Sequence, residues 1–176
     1  VALIALLAGC TSNDTLANDY RDGTTNGYIS GDGAVVEVAA PDRKDPVVFE
    51  GTDEKGNTVS SSDLAGDVVV VNFWYAGCPP CRKEAPDLEA LHQQYKDQGV
   101  SFVGVNTSDS ADTALAFARK FGVTYPSILD VETNTVQLAF AGQVAPNAVP
   151  TTLVLDKQGR VAARFSGLVS EPKNLG

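Results

Sequence analysis

The chain has 176 residues, long enough for one domain with a buried core. Acidic residues outnumber basic ones by 22 to 13, which gives a formal charge of −9. This balance argues against nucleic acid as a partner, because phosphate binding needs clustered Lys and Arg. The sequence contains no methionine, so we expect the start of the translated chain to be missing. We expect the end to be incomplete too, since residues 172–176 do not resemble a finished helix.

The chain opens with an apolar stretch over residues 1–8 that is too short to span a bilayer. It fits the end of a signal-peptide apolar region. The segment Leu7–Cys10 resembles the bacterial lipobox, in which cleavage occurs just before the cysteine. The resemblance implies that Cys10 is lipidated and becomes the mature N-terminus, and two or more acyl chains anchor a protein stably. The alternative is an ordinary secretory signal; either way the domain is exported to where disulfides persist.

The chain divides into three predicted regions. Residues 1–9 are the remnant of the signal peptide. Residues 10–40 are a lipid-anchored flexible tether, because they are rich in Thr, Asn, Asp and Gly with little apolar periodicity. Residues 41–176 are a single folded domain.

Strands and helices alternate along this domain. Strands are predicted, in chain order, at 47–50, 68–74, 100–106, 127–130, 151–156 and 161–165. Helices are predicted at 78–96, 110–121 and 134–141. A turn at 157–160 joins the last two strands as a hairpin. The order predicts an α/β fold with a mixed central sheet, flanked by helices on both faces and ending in an antiparallel hairpin.

The most informative motif is Cys78-Pro79-Pro80-Cys81, at the junction between a buried strand and a helix. Residues i and i+3 share a face at a helix start, so the two sulfurs can reach disulfide geometry. The prolines are tolerated because first-turn N–H groups have no intrahelical partner. Such N–H groups and the helix dipole favour a thiolate on Cys78. We therefore predict Cys78 as the nucleophile and Cys81 as the resolving cysteine.

Two other uses of the cysteine pair fit less well. A zinc site usually needs a second pair of ligands, and the chain has only one other cysteine, Cys10, and one histidine, His92. A structural disulfide normally closes a longer loop. We therefore predict no metal site and no cofactor beyond the redox-active Cys78–Cys81 disulfide. His92 is expected on the surface of the active-site helix.

Three segments together resemble the membrane-anchored TlpA/ResA-type thiol-disulfide oxidoreductases of the thioredoxin-like superfamily. They are Val71–Trp74, Cys78–Pro86 and Val149–Thr152, and the resemblance covers about residues 41–167. It implies a thioredoxin-like fold, exchange with protein thiols or disulfides, and a membrane redox partner that recharges the site. It also implies a lipid-anchored location on the extracytoplasmic side of the bacterial membrane.

The direction of electron flow is left open by the motif. Family analogy favours a reductant, for instance of the haem-attachment cysteines of apocytochrome c. The closest alternative is an oxidant that installs disulfides in secreted proteins. Pro79 and Pro80 remove two N–H donors near Cys78, which leaves its thiolate less stabilised and favours the reducing direction.

The resemblance implies roles for single residues. Pro150 matches the family's cis-proline, which presents the Val149 backbone to a substrate; the alternative is an ordinary trans proline. Glu84 matches an acid beside the thiols that could shuttle the Cys81 proton, or else it is a solvated first-turn glutamate. Trp74 matches an aromatic next to the site, or it is a simple core residue.

One position departs from the family pattern. Many relatives have Trp directly before the first cysteine, where this chain has Gly77. A small residue there is expected to expose more of the Cys78 sulfur and to remove an apolar contact for a partner. Gly77, Pro79 and Pro80 are expected to border the bound substrate, so this change affects which client fits.

Two further classes of function remain as alternatives. A thiol peroxidase of related fold uses a lone peroxidatic cysteine after a Pro-x-x-x-Thr segment, which this sequence lacks. A copper-binding module often recruits methionines, and the chain has none.

Overall fold

A computed structural model describes residues 35–144 and 148–169 of the protein. The strands in these ranges are β1 (Val35–Glu37), β2 (Glu50–Thr52), β3 (Thr58–Ser60), β4 (Val68–Trp74), β5 (Val100–Asn106), β6 (Ser127–Leu129), β7 (Thr151–Leu155) and β8 (Val161–Ser166). The α-helices are α1 (Pro79–Tyr95), α2 (Ala111–Phe121) and α3 (Thr135–Ala139). The predicted bounds of β4 and β5 are confirmed, because both are continuous apolar runs that the fold buries.

The central sheet has the strand order β1-β8-β7-β4-β5-β6. β4, β5 and β6 are parallel to one another, whereas β7 runs antiparallel to β4 and pairs with β8 as a hairpin. β2 and β3 form a separate antiparallel pair. The sheet is therefore mixed and contains the predicted hairpin, as expected for the predicted α/β fold.

β4 lies inside the sheet and packs on both of its faces. Phe73 points to one face, where its ring meets Phe140 just after α3 at a centroid distance of 5.5 Å. Trp74 points to the other, where it packs on Phe117 of α2 at 4.2 Å. Leu88 of α1 is buried in a cluster with Val70 on that second face. Successive strand residues alternate in direction, so helices cover both faces and the end of β4 delivers the chain to α1.

Two predictions near the start of the domain are wrong. Val35–Glu37 lies within the predicted tether but forms β1, which pairs with β8, so the sheet begins before residue 41. Its residues are all exposed and show no alternation, so only the edge of β8 defines the strand. The strand predicted at 47–50 is also displaced, since β2 begins at Glu50. Val47 instead donates its N–H to Gly159 in the hairpin turn.

Predictions for residues 1–34 lie outside the described residues, including the signal-peptide remnant and the lipidation of Cys10. Within residues 35–144 and 148–169, no helix is long and apolar enough to cross a membrane.

Candidate active site

Cys78 and Cys81 form a disulfide at the start of α1, with their Cα atoms 5.3 Å apart. Cys78 is the N-cap residue, and its Sγ accepts a hydrogen bond from the N–H of Cys81 at 3.2 Å. Pro79 and Pro80 occupy the first two helical positions. Because proline has no N–H, Cys81 supplies the first amide that this helix can direct at the Cys78 sulfur.

Both cysteines are buried in this disulfide form, with Cys78 0% and Cys81 2% exposed. The expectation that Gly77 exposes Cys78 is therefore wrong. The ring of Tyr75 fills the space beside Gly77: a Cβ on Gly77 would lie 2.9 Å from Tyr75 Cε2. Removing a side chain at position 77 thus makes room for another aromatic ring rather than opening the sulfur to solvent.

Glu84 lies one turn after Cys81 on α1, is buried at 1% exposure, and is held by two hydrogen bonds. Asn72 of β4 donates from Nδ2 to its Oε1 at 2.8 Å, and Val169 donates its backbone N–H to Oε2 at 3.0 Å. Asn72 also donates to Thr152 Oγ1 on β7 at 3.0 Å. The alternative of a solvated glutamate is therefore excluded.

Burial raises the pKa of Glu84 to about 7, and the nearby charge of Asp87 acts in the same direction. The hydrogen bonds from Val169 and Asn72 oppose the rise because they stabilise the carboxylate. The pKa of buried Tyr125 is also raised, mainly by burial and then by the Glu84 charge. A carboxyl group with a pKa near neutrality can both accept and donate a proton at physiological pH.

Trp74 is both a core residue and a neighbour of the cysteine pair, so the two interpretations of its role are compatible. It packs in the core on Phe117, and it lines a small cavity of about 10 Å³ together with Cys81. Its Nε1 donates to Ser127 Oγ at 2.7 Å. Gly104 lies beside this bond, and a Cβ there would meet Trp74 Nε1 at 2.8 Å. The indole is therefore fixed in orientation.

Sequence reasoning missed two buried polar residues of this region. Glu54 follows β2, lines the same cavity as Cys81, and accepts the N–H of Ser127 on Oε2 at 2.8 Å. Its place in a polar turn gave no signal of burial. Asn72 did carry a signal, since it is the one polar residue in the apolar run 68–74. A polar residue in a buried strand requires a buried partner, here Glu84.

Val149 and Pro150 are both buried and precede β7, and the peptide bond between them is cis, as the resemblance implies. Phe73 of β4 pairs with Thr151 of β7. Pro150 therefore lies beside the C-terminal end of β4, where the chain continues to Cys78. The carbonyl of Pro150 accepts the N–H of Gly167 at 2.9 Å, which ties this loop to the segment after β8.

The loop that carries Tyr75 and Gly77 is held by Asp109, which follows β5. Asp109 Oδ2 accepts the N–H of Ala76 at 2.6 Å and a second bond from Asn106 Nδ2 at 2.8 Å. Asn106 in turn accepts the N–H of Asp109 at 2.7 Å. The backbone before Cys78 is therefore positioned by the neighbouring strand end.

His92 is half-buried rather than on the open surface as predicted. Its ring makes edge contacts with Phe102 and Tyr125 at 5.5 and 5.6 Å between centroids. Burial lowers the pKa of His92. Across the described part of the chain, no group of three or more His, Cys, Asp or Glu residues could hold a metal ion.

This fold and this disulfide define a thioredoxin-like protein with a Cys-Pro-Pro-Cys redox site. The sequence matches the Redoxin family over residues 36–175. It is 34% identical over 147 residues to the thiol-disulfide oxidoreductase ResA of Geobacillus kaustophilus (strain HTA426), covering 84% of this chain and 78% of that protein.

Two solved structures are similar along nearly their whole length. A secreted thiol-disulfide isomerase from Corynebacterium glutamicum matches with a TM-score of 0.73 and 33% identity, covering 84% of this chain and 91% of that one. A DsbF homologue from Corynebacterium diphtheriae matches with a TM-score of 0.71 and 32% identity, covering 84% and 94%. The chain belongs to the Redoxin family. Within it, the chain is an oxidoreductase of the thiol–disulfide class.

Proposed function

We propose that the protein is an exported, lipid-anchored reductant of disulfides in other proteins, with Cys78 as nucleophile and Cys81 as resolving cysteine. The observation that carries the assignment of roles is the N-cap position of Cys78, whose Sγ accepts the N–H of Cys81. A thiolate at that position is stabilised by this N–H and by the helix dipole, whereas Cys81 lies one turn further in.

The proposed exchange moves two electrons and two protons. Cys78 loses its proton to solvent and attacks one sulfur of a client disulfide as the thiolate, a mixed disulfide forms, and the other client sulfur leaves and takes a proton from solvent. Cys81 then loses its proton and attacks Cys78 Sγ, which closes the Cys78–Cys81 disulfide and releases the second client thiol. A membrane-bound dithiol partner would return two electrons and two protons to the pair.

Glu84 is proposed as the proton acceptor for Cys81. It lies three residues further along α1, so both side chains share a face, and both are buried. The pKa of Glu84 near 7 suits this task, since the carboxylate can take the Cys81 proton and give it to the departing client thiolate.

The reducing direction is supported by the two prolines. Because the first two helical positions lack an N–H, Cys81 offers the first backbone amide to the Cys78 sulfur. Fewer donors leave the thiolate less stabilised relative to the disulfide, which makes the pair a weaker oxidant. Clients of apocytochrome c type are proposed from the family resemblance alone.

The experiment that tests the proposal is a mixed-disulfide trap. Reduced Cys81→Ser protein should form a covalent complex with a disulfide-bonded client protein, because its Cys78 attacks and no resolving thiol releases the product. The matched variant Cys78→Ser should trap far less, since its remaining thiol lies one turn into α1 and lacks the N-cap position that stabilises a thiolate. Equal trapping by both variants, read on non-reducing gels and by mass spectrometry, would contradict the assigned roles.

A further inference from the structure

We propose that Tyr75 is the side chain that receives a client polypeptide beside Cys78, and that it favours clients with an apolar side chain next to their cysteine. The inference rests on the proposed function and adds to it the part of the site that selects the client.

Tyr75 is brought close to the nucleophile by a tight turn. It is the first residue after β4, and its carbonyl accepts the N–H of Cys78 at 3.2 Å. The side chain is half-buried and packs against the core cluster that contains Cys78 and Val149. The residue is therefore supported by the core on one side and remains partly exposed.

The Tyr75 ring and a side chain at position 77 exclude each other. A Cβ on Gly77 would lie 2.9 Å from Tyr75 Cε2 and 3.4 Å from Cδ2, which is closer than ordinary contact. The Tyr75 ring therefore occupies the space into which a side chain at position 77 would project. We infer that this chain keeps an aromatic surface beside Cys78 and supplies it from position 75.

Val149 lies across from Tyr75, and a bound client segment would pass between the two residues. β4 and β7 are antiparallel with Phe73 opposite Thr151. Continuing that register by two residues sets Tyr75 across from Val149, at the edge of the sheet where Cys78 follows β4. A client strand running along the Val149 backbone would therefore pass the Tyr75 ring.

The backbone under the ring is fixed before any client binds. The N–H of Thr107 donates to the carbonyl of Trp74 at 3.1 Å, and the N–H of Ala76 donates to Asp109 at 2.6 Å. An aromatic side chain held on a fixed backbone offers a large contact area and loses little conformational entropy on binding. Tyrosine is accordingly among the residues that contribute most at protein interfaces.

The test uses the full chain in reduced form and two disulfide-linked peptides that differ only in carrying Phe or Gly next to the cysteine. Tyr75→Ala should raise KM for the Phe peptide about tenfold while kcat changes less than about twofold. KM for the Gly peptide should change little. Exchange with bis(2-hydroxyethyl) disulfide, a small disulfide without an aromatic group, reports the chemistry without client contacts and should change less than about twofold.

Two matched variants separate docking from structure. Tyr75→Phe keeps the ring and should stay within about twofold of the original KM. The double variant Tyr75→Ala, Gly77→Trp should recover most of the lost preference, because the space beside position 77 is then empty. Gly77→Trp alone should lose stability, since its side chain meets the Tyr75 ring.

An unchanged KM for the Phe peptide in folded Tyr75→Ala protein would overturn the inference. If that variant does not fold, the unmodified protein provides the test. Equal values of kcat/KM for the Phe and Gly peptides would then overturn the inference. Failure of the unmodified protein to exchange with bis(2-hydroxyethyl) disulfide would instead count against the proposed function.

Discussion

Glu84 joins three separate parts of the chain through one carboxyl group. Asn72 of β4 holds one oxygen, Val169 after β8 holds the other, and the residue itself belongs to α1. Two hydrogen bonds do not offset the cost of burying this group, and its pKa rises to about 7. At neutral pH the group is therefore about half protonated, whereas a solvated glutamate would have lost its proton.

This raised pKa predicts a stability that falls with pH. In the unfolded chain the carboxyl group has its ordinary pKa of 4.5, so it ionises first, and the folded state binds more protons between about 4.5 and 7. The free energy of unfolding should therefore decrease by roughly 3 kcal/mol across that window. Urea unfolding at pH 4.5, 6 and 8 measures the slope.

Glu84→Gln should remove most of this decrease, because the amide does not titrate. Glu50→Gln, at an exposed position of β2, is the matched control and should keep it. If Glu84→Gln retains the slope of the unmodified protein, the titrating group lies elsewhere.

At the scale of the element, the first turn of α1 determines how many amides reach the nucleophile. The side chain of an N-cap residue accepts from the second and third helical N–H groups. Here the second position is Pro80, and only the third, Cys81, donates to the Cys78 sulfur. Pro79 stands at the first position, whose N–H would not be directed at the cap.

Pro80→Ala should make the pair more oxidising. The restored N–H would stabilise the Cys78 thiolate by about 1.5 kcal/mol, which corresponds to roughly 30 mV in the two-electron potential. Pro79→Ala is the matched control and should move the potential much less. Equilibration with glutathione or dithiothreitol buffers measures both values.

The unmodified protein should equilibrate closer to the thioredoxin potential of about −270 mV than to the DsbA value of about −120 mV. A value near −120 mV would reverse the proposed direction of electron flow. Identical potentials for Pro80→Ala and Pro79→Ala would show that the missing amides do not tune the pair.

The elements that sequence predicts well are those whose own residues determine them. β4 and β5 are apolar runs that specify burial without reference to a neighbour, and Ser110 and Gly122 cap α2 at its two ends. β1 is different, because its three exposed residues become a strand only through pairing with β8. A strand that depends on such a tertiary contact cannot be predicted from the residues of its own segment.

The same distinction applies to the site. The cysteine pair and its roles follow from spacing along one helix, whereas the contacts of Glu84 with Asn72 and Val169 join residues 12 and 85 positions away. The burial of Cys78 was also predicted incorrectly, since it depends on where the Tyr75 ring lies relative to Gly77. Sequence identifies the reacting atoms, and the fold determines what surrounds them.

On the scale of the whole molecule, the segment after β8 is coupled to the cysteines. Gly167 donates to the carbonyl of Pro150, and two residues later Val169 donates to Glu84. The end of the hairpin thus contacts both the loop before β7 and the buried acid. Substitutions in this segment should therefore alter the pKa of Glu84, even though the segment contributes no reacting group.

Val169→Pro tests this coupling because it removes a single N–H. Loss of that bond to the carboxylate should raise the pKa of Glu84 by about one further unit. Val169→Ala removes most of the side chain but keeps the N–H, and should leave the pKa near its original value. Carbon-13 NMR of the glutamate side chains follows the titration, and equal pKa values in both variants would contradict the coupling.

Trp74 is the only tryptophan of the chain, and it lines the same small cavity as Cys81. Its indole is fixed by the bond to Ser127, so the distance between the ring and the cysteine pair is set by the fold. Disulfides quench tryptophan emission at short range, whereas thiols do so less. The protein therefore carries a built-in fluorophore, and we expect its emission to brighten when the disulfide opens, so that turnover can be followed without a label.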